Sequence, residues 1–223
     1  MLPKRLAVIS YHTCPLSDEK DTEIGGLNVY VLELSKRLAR KGFQIDIYTR
    51  LIDPESPEIV DVEKNLRVIH LPAGSEKKLP KKELLQYVPA FVEPVSAFIA
   101  SEKLVYDSIS AHYYMSGLVG LELKRRYQLP MSITFHTLAL MKNLVARDED
   151  EKEDLARVQA EMLLVQESDA ILATSEADAL YLQTLYGANA KKVGVVTPGV
   201  DLTSFKPIDK EISKKKINAT EGK

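Results

Sequence analysis

The sequence predicts an α/β fold, a parallel sheet with helices on both faces. Three observations predict it. Short apolar runs of strand length alternate with longer stretches that carry apolar residues at helical spacing. The first of these runs, Leu6-Ala7-Val8-Ile9, is continuously apolar rather than alternating with polar residues, as expected of a strand covered on both sides. The order strand, helix, strand then repeats along most of the chain, which is the pattern of βαβ units.

Leu6-Ala7-Val8-Ile9 is the first strand. From Gly26 the spacing changes: Leu27, Val31, Leu34 and Leu38 recur as on a helix, and Gly42 marks its stop. Residues 44–49 and 66–71 read as the second and third strands, and 83–100 as mainly helical. Strand-like runs at 108–111 and 132–135 bracket a helix at 115–127. A long polar helix is expected over 151–167, a strand over 170–174, a helix over 176–186 and a last strand over 192–196. Ser175 has the character of a helix N-cap. Residues 1–208 are expected to form one domain. Residues 209–223 carry Lys210, Lys214, Lys215, Lys216 and Lys223, with few apolar residues and no strong pattern, and read as a linker or tail.

Composition narrows the function. Of 223 residues, 30 are Lys or Arg and 32 are Asp or Glu, a formal charge of −2 that argues against a nucleic-acid partner. Cys14 is the single cysteine, so no internal disulfide and no site built on several cysteines is expected, as suits a reducing compartment. No apolar run approaches the ~20 residues of a membrane helix. The opening MLPKRLAVIS has too short an apolar run for a signal peptide, so a cytoplasmic location is expected.

In a sheet of this kind ligands bind outside the carboxyl ends of the strands. The informative loops are then 10–26, 112–116, 136–142, 175–178 and 198–205. Ile24-Gly25-Gly26-Leu27-Asn28-Val29-Tyr30 places two glycines where a loop becomes a helix. Glycine allows close backbone approach, and a helix start offers free N–H groups, so the place suits a diphosphate; an ordinary turn is the other reading. Neither a G-x-G-x-x-G nor a P-loop pattern occurs. Ala111-His112-Tyr113-Tyr114 and Phe135-His136-Thr137-Leu138 each put a histidine at a strand's carboxyl end, which favours a shared cleft over two separate structural hydrogen bonds. His12, His70, His112 and His136 lack zinc-site spacing. Asp148-Glu149-Asp150 formally matches a metal-holding D-x-D, but it lies in an acidic run at a helix start, where the helix dipole accounts for it. Glu153 and Glu161 are spaced as E-x7-E, and so are Glu55 and Glu63, so the spacing singles out neither pair. Lys77, Lys78, Lys81 and Lys82 form a basic loop that could meet a phosphate or be merely solvated.

The segments Ile9-Ser-Tyr-His12, Gly25-Gly-Leu-Asn-Val-Tyr-Val31, Ala111-His-Tyr-Tyr, Phe135-His-Thr-Leu, Ala173-Thr-Ser-Glu176 and Thr197-Pro-Gly-Val-Asp-Leu-Thr-Ser-Phe-Lys-Pro207 occur in this order. Together they resemble the N-terminal half of the family 4 retaining glycosyltransferases of the GT-B fold, over nearly all of residues 5–207. Members acting on inositol phosphate are the nearer resemblance and sucrose-phosphate synthases the second. The resemblance implies a Rossmann-like domain and transfer of a sugar from a nucleotide sugar, UDP-linked, to a phosphorylated acceptor such as inositol phosphate or another phosphorylated polyol or sugar, with no cofactor and no strict metal. It implies that Asn28, Lys81, Tyr113, Thr137 and Arg157 meet the acceptor phosphate, that Gly25 and Gly26 meet the donor diphosphate, and that His136 touches the donor sugar near the reacting carbon. Two cations with three neutral donors suit a phosphomonoester. It also implies a C-terminal nucleotide-sugar domain that residues 1–223 do not contain, so this chain alone is expected to bind acceptor weakly and turn over little. A non-catalytic sugar-phosphate-binding module is the alternative reading.

Overall fold

The computed structural model describes residues 4–17 and 25–216. Part of the expected loop at 10–26 (residues 18–24), the extreme start (1–3) and the end of the expected linker (217–223) lie outside the described residues. The strands are β1 (Arg5–Ile9), β2 (Gln44–Arg50), β3 (Ile59–Glu63), β4 (Leu66–Leu71), β5 (Ser108–His112), β6 (Met131–Thr134), β7 (Ala170–Ala173) and β8 (Val193–Val195). They form one sheet in the order β3-β4-β2-β1-β5-β6-β7-β8. Every pairing is parallel except β3 with β4. The helices are α1 (Gly26–Arg40), α2 (Lys81–Leu84), α3 (Val88–Ser101), α4 (Tyr114–Tyr127), α5 (Ala139–Val145), α6 (Leu155–Glu167), α7 (Glu176–Tyr186) and α8 (Lys210–Lys216).

Successive strand residues point to opposite faces, and the core divides accordingly. Val8, Ile45, Ile47, Leu66 and Val68 meet Val31 and Ala39 of α1 on one face. Ala7, Ile9, Tyr48, Ile69 and Ile109 belong to the larger cluster on the other, with α3, α4, α6 and α7. The buried face of α1 is Asn28, Val31, Ser35 and Ala39, displaced to one side of the expected leucine stripe, with Leu27 and Leu38 packing at its edge. Gly42 takes φ 93° just after α1, as its role as a stop requires. The stretch Lys81–Ser101 is apolar and long enough, by composition alone, to cross a membrane. Phe91, Val95, Phe98 and Ile99 within it fill the larger core cluster.

Four features depart from the sequence reading. β3 is an antiparallel edge strand, joined to β4 through Lys64 and Asn65, with Asn65 at φ 68°. Its Ile-Val-Asp-Val-Glu is half-exposed, alternates apolar with acidic residues and has no fully buried position. Residues 136–142 are not all loop, because α5 begins at Ala139. The helix expected from 151 begins at Leu155, preceded by a 3₁₀ turn at Glu149–Glu151 whose N–H groups at Asp150 and Glu151 are held by the Asp148 carboxylate. Within the expected linker, Lys210–Lys216 is helical. Ser175 caps α7 as expected, accepting from the Asp178 N–H at 3.1 Å.

At the amino ends of the strands, the Asp46 carboxylate on β2 is 1% exposed. It accepts from Arg5 Nη1 at 2.7 Å, Arg67 Nε at 2.8 Å and Tyr106 Oη at 2.7 Å. Tyr106 donates to Asp46, so the Tyr48 hydroxyl 2.7 Å away donates to Tyr106. The cluster joins β1, β2, β4 and the segment before β5. Asp46→Ala leaves two arginines and a buried hydroxyl without their shared acceptor. We expect it to destabilise the chain by about 3 kcal/mol, read as a lower denaturant midpoint at unchanged slope.

Candidate functional site

The sheet order reverses at β1, which lies between β2 and β5. The crevice outside the carboxyl ends of β1 and β5 is therefore the place for a ligand. Four aromatic or imidazole side chains gather there: His12 after β1, His112 at the end of β5, Tyr113 after it, and His136 after β6. His12 lies against the Tyr113 ring at 4.5 Å between centroids, and His112 Nδ1 is 3.1 Å from His136 Nε2. Tyr30 of α1 sets its edge against His112 at 5.8 Å and His136 at 5.0 Å.

Two of these residues hold a backbone conformation that side chains seldom adopt. Tyr113 is at φ 77°, ψ 157° and His136 at φ 62°. Such strain persists only where the surroundings over-determine it. For Tyr113 they do: its N–H donates to the Thr134 carbonyl at 2.8 Å, its carbonyl accepts from Gly117 N–H at 2.9 Å, and its ring lies between His12, Tyr114 and the Arg157 guanidinium.

Burial sets the charge state of the imidazoles. Desolvation pulls His12 down to about 3, helped by the nearby charges of Lys81 and Arg157. It pulls His112 to about 3, with a smaller contribution from His136, and His136 to about 4. All three are neutral at neutral pH and serve as hydrogen-bonding groups rather than cations. Among the described residues, His12 Nδ1 and Thr134 Oγ1 are buried with no partner.

The cations are Lys81 and Arg157. Lys81 opens α2, is exposed, and lies close enough to His12 to affect its ionisation. Arg157 on α6 is 3% exposed and its planar group lies over Tyr113 and Tyr114, at 5.0 and 5.3 Å from their centroids. Its Nη2 donates to the Thr137 carbonyl and to Thr137 Oγ1, both at 3.0 Å, its Nε to Glu161 at 2.8 Å, and its Nη1 pairs with Glu153 at 2.9 Å. Burial opposes its charge, but Tyr113, Glu161 and Glu153 outweigh that and hold the guanidinium above its ordinary range.

The structure thus brings Tyr113, Thr137, Arg157, Lys81 and His136 to one place. Asn28 is engaged differently. It is 4% exposed; its Oδ1 accepts from Thr13 Oγ1 at 2.9 Å and its Nδ2 donates to the Cys14 carbonyl at 3.1 Å, pinning the segment after β1 to the first turn of α1. Gly25 is the N-cap of α1 and Gly26 its first residue. A Cβ built on Gly26 meets no atom within 4 Å, so packing within the described chain does not demand glycine there. Among the described residues no three His, Cys, Asp or Glu side chains group to hold a metal ion.

Sequence reasoning missed Glu153 and Glu161 as partners of Arg157, and His12 as the group between Tyr113 and Lys81. For the glutamates a signal existed: Glu153, Arg157 and Glu161 recur at i, i+4 and i+8, one helical face. A hollow of about 10 Å³ beside His136, Thr137, Thr174 and Asp178 has room for about one water, so a ligand here lies on an open face. The larger hollow, about 480 Å³, lies between α3 and α4, away from these residues.

The family model described as Glycosyltransferase Family 4 matches residues 24–204. The D-inositol 3-phosphate glycosyltransferase of Corynebacterium glutamicum is 39% identical over 203 residues, covering 91% of this chain and 49% of that protein. The protein of the same name from Xylanimonas cellulosilytica is 40% identical over 204 residues, covering 91% and 49%. Sucrose-phosphate synthase from Thermosynechococcus elongatus superposes with a TM-score of 0.87 at 29% identity, covering 97% of this chain and 53% of that one. The chain spans about half the length of the curated relatives it matches.

His12, His112 and His136 ionise at a lower pH folded than the ordinary 6.5, so below that value the unfolded chain binds more protons. Their contribution to stability is complete above pH 6.5 and declines as the pH falls toward 4. We expect the melting temperature to drop over that interval, and the ring ¹⁵N shifts of all three to remain those of neutral imidazoles at about pH 5.5. A protonated ring at that pH would contradict the burial argument.

Proposed function

The chain belongs to glycosyltransferase family 4, and from that premise we propose that it is the acceptor-side half of a retaining glycosyltransferase. The reaction moves a sugar from a UDP-linked donor to a phosphorylated acceptor, inositol phosphate in the first instance. The acceptor hydroxyl oxygen bonds to the anomeric carbon, the bond from that carbon to the diphosphate breaks with its electron pair leaving on the diphosphate, and the hydroxyl proton is released. In this reading Gly25 and Gly26 present backbone to the donor diphosphate at the start of α1, where the helix dipole favours an anion. His136, neutral at working pH, offers a hydrogen bond to the donor sugar. Lys81, Arg157, Tyr113, Thr137 and Asn28 receive the acceptor, Asn28 through the loop that it fixes.

The observation that carries the reading is the gathering of Lys81, Arg157, Tyr113 and Thr137 around His12 and His136, two cations and two hydroxyls at one crevice. Identities of 39% and 40% with inositol-phosphate enzymes, against 29% with the synthase, favour inositol phosphate over a sugar phosphate. In this reading the nucleotide-sugar domain belongs to the half of the relatives' length that this chain does not span.

Arg157 is a poor first target, because its removal would leave the buried Glu161 carboxylate without its cation and threaten the fold. Lys81 is exposed and suits the purpose. We expect Lys81→Met to weaken calorimetric binding of D-inositol 3-phosphate about tenfold, with binding of unphosphorylated inositol and the melting temperature unchanged. An equal loss for both ligands would refute a phosphate contact.

A further inference from the structure

Arg157 has two carboxylate partners, and they are unlike. Glu161 is wholly buried. Its Oε1 holds Arg157 Nε at 2.8 Å, while its Oε2 accepts from Ala139 N–H at 2.8 Å and Tyr186 Oη at 2.5 Å. Held by three donors from three helices and shut off from water, it is a permanent partner. Glu153 is different. Its side chain keeps 24% exposure, and its Oε1 is shared between Arg157 Nη1 at 2.9 Å and the Lys142 ammonium at 2.5 Å. Burial opposes its ionisation, but Lys142 and Arg157 prevail and hold the carboxyl below the usual range, so it is an anion. Its backbone is anchored separately, the Glu153 N–H donating to Asn143 Oδ1 at 2.8 Å. The carboxylate can therefore turn away without moving the chain that carries it.

We propose that Glu153 is an internal stand-in for the acceptor's anionic group: it occupies the Arg157–Lys142 cation pair while the site is empty and yields it when an acceptor phosphate arrives. This rests on the reading of a phosphorylated acceptor. The charges explain why. Arg157, Lys142, Glu161 and Glu153 cancel as they stand, and displacing Glu153 leaves one positive charge uncovered beside exposed Thr137, with Lys81 close by. A phosphate supplies the charge needed to take the place of a carboxylate. A neutral polyol does not, and leaves Glu153 where it is. Glu153 thus sets the charge an acceptor must carry, and Lys142 becomes a further cation of the acceptor site.

The test is calorimetric titration of this chain, at one fixed ionic strength, with D-inositol 3-phosphate and with unphosphorylated inositol. We expect Glu153→Gln to bind D-inositol 3-phosphate about tenfold more tightly and inositol as before, because a like charge facing the ligand has been removed. Glu153→Asp, which keeps the charge, should resemble the parent chain. Lys142→Met should weaken phosphate binding, and it provides an independent reading if Glu153→Gln does not fold. Unchanged or weaker phosphate binding by a folded Glu153→Gln chain, with the parent binding normally, would overturn the stand-in and leave the proposed function in place. If neither chain binds D-inositol 3-phosphate, the acceptor reading falls and this proposal with it.

Discussion

A carboxylate with no exposure to water has to be met by donors on every side, and Glu161 draws those donors from across the domain. Its partners come from three helices: Arg157 on its own α6, the first N–H of α5, and the Tyr186 hydroxyl at the end of α7. Tyr186 in turn accepts from the Leu140 N–H at 2.8 Å, so two N–H groups at the start of α5 are satisfied from elsewhere in the chain. That start lies just beyond His136 and Thr137. The same carboxylate holds Arg157 flat over Tyr113 and Tyr114. One buried charge therefore braces the loops after β5 and β6, two of those that meet at the crevice.

This arrangement explains what the sequence could disclose. A parallel strand covered on both faces can announce itself as an unbroken apolar run, and β1 is readable for that reason, whereas β2 and β4 are read from short β-branched runs despite Asp46, Arg67 and His70 within them. β3 carries alternating, half-exposed residues at an edge and has no such signature. α5 has only seven residues, and its N–H groups are satisfied by Glu161 and Tyr186, 22 and 46 positions away, so no local cap marks its beginning. In the site, Tyr113, His136 and Thr137 are legible because they come directly after strands, where such folds bind ligands. The ring contact of His12 with Tyr113 spans a hundred positions and leaves no trace in spacing. The Asn28 side chain also bonds Thr13 and Cys14 of the loop after β1, a link that its spacing in the sequence does not announce.

The electrostatic character of the crevice depends on burial more than on composition. Three imidazoles stand within it, yet desolvation keeps them uncharged, and the cations there are Lys81, Arg157 and Lys142, the last two paired with Glu161 and Glu153. The Tyr113 conformation is held by its backbone hydrogen bonds to Thr134 and Gly117 and by His12, Tyr114 and Arg157 around its ring.

The cluster of Arg5, Asp46, Arg67 and Tyr106 lies at the opposite end of the sheet from all of this. It fastens the frame where no ligand goes, and the crevice loops contribute nothing to it. Such a division lets the two ends drift independently over evolutionary time. Residues after β1, β5 and β6 can change without touching the far-end cluster, so one frame can carry crevices of different shape and charge.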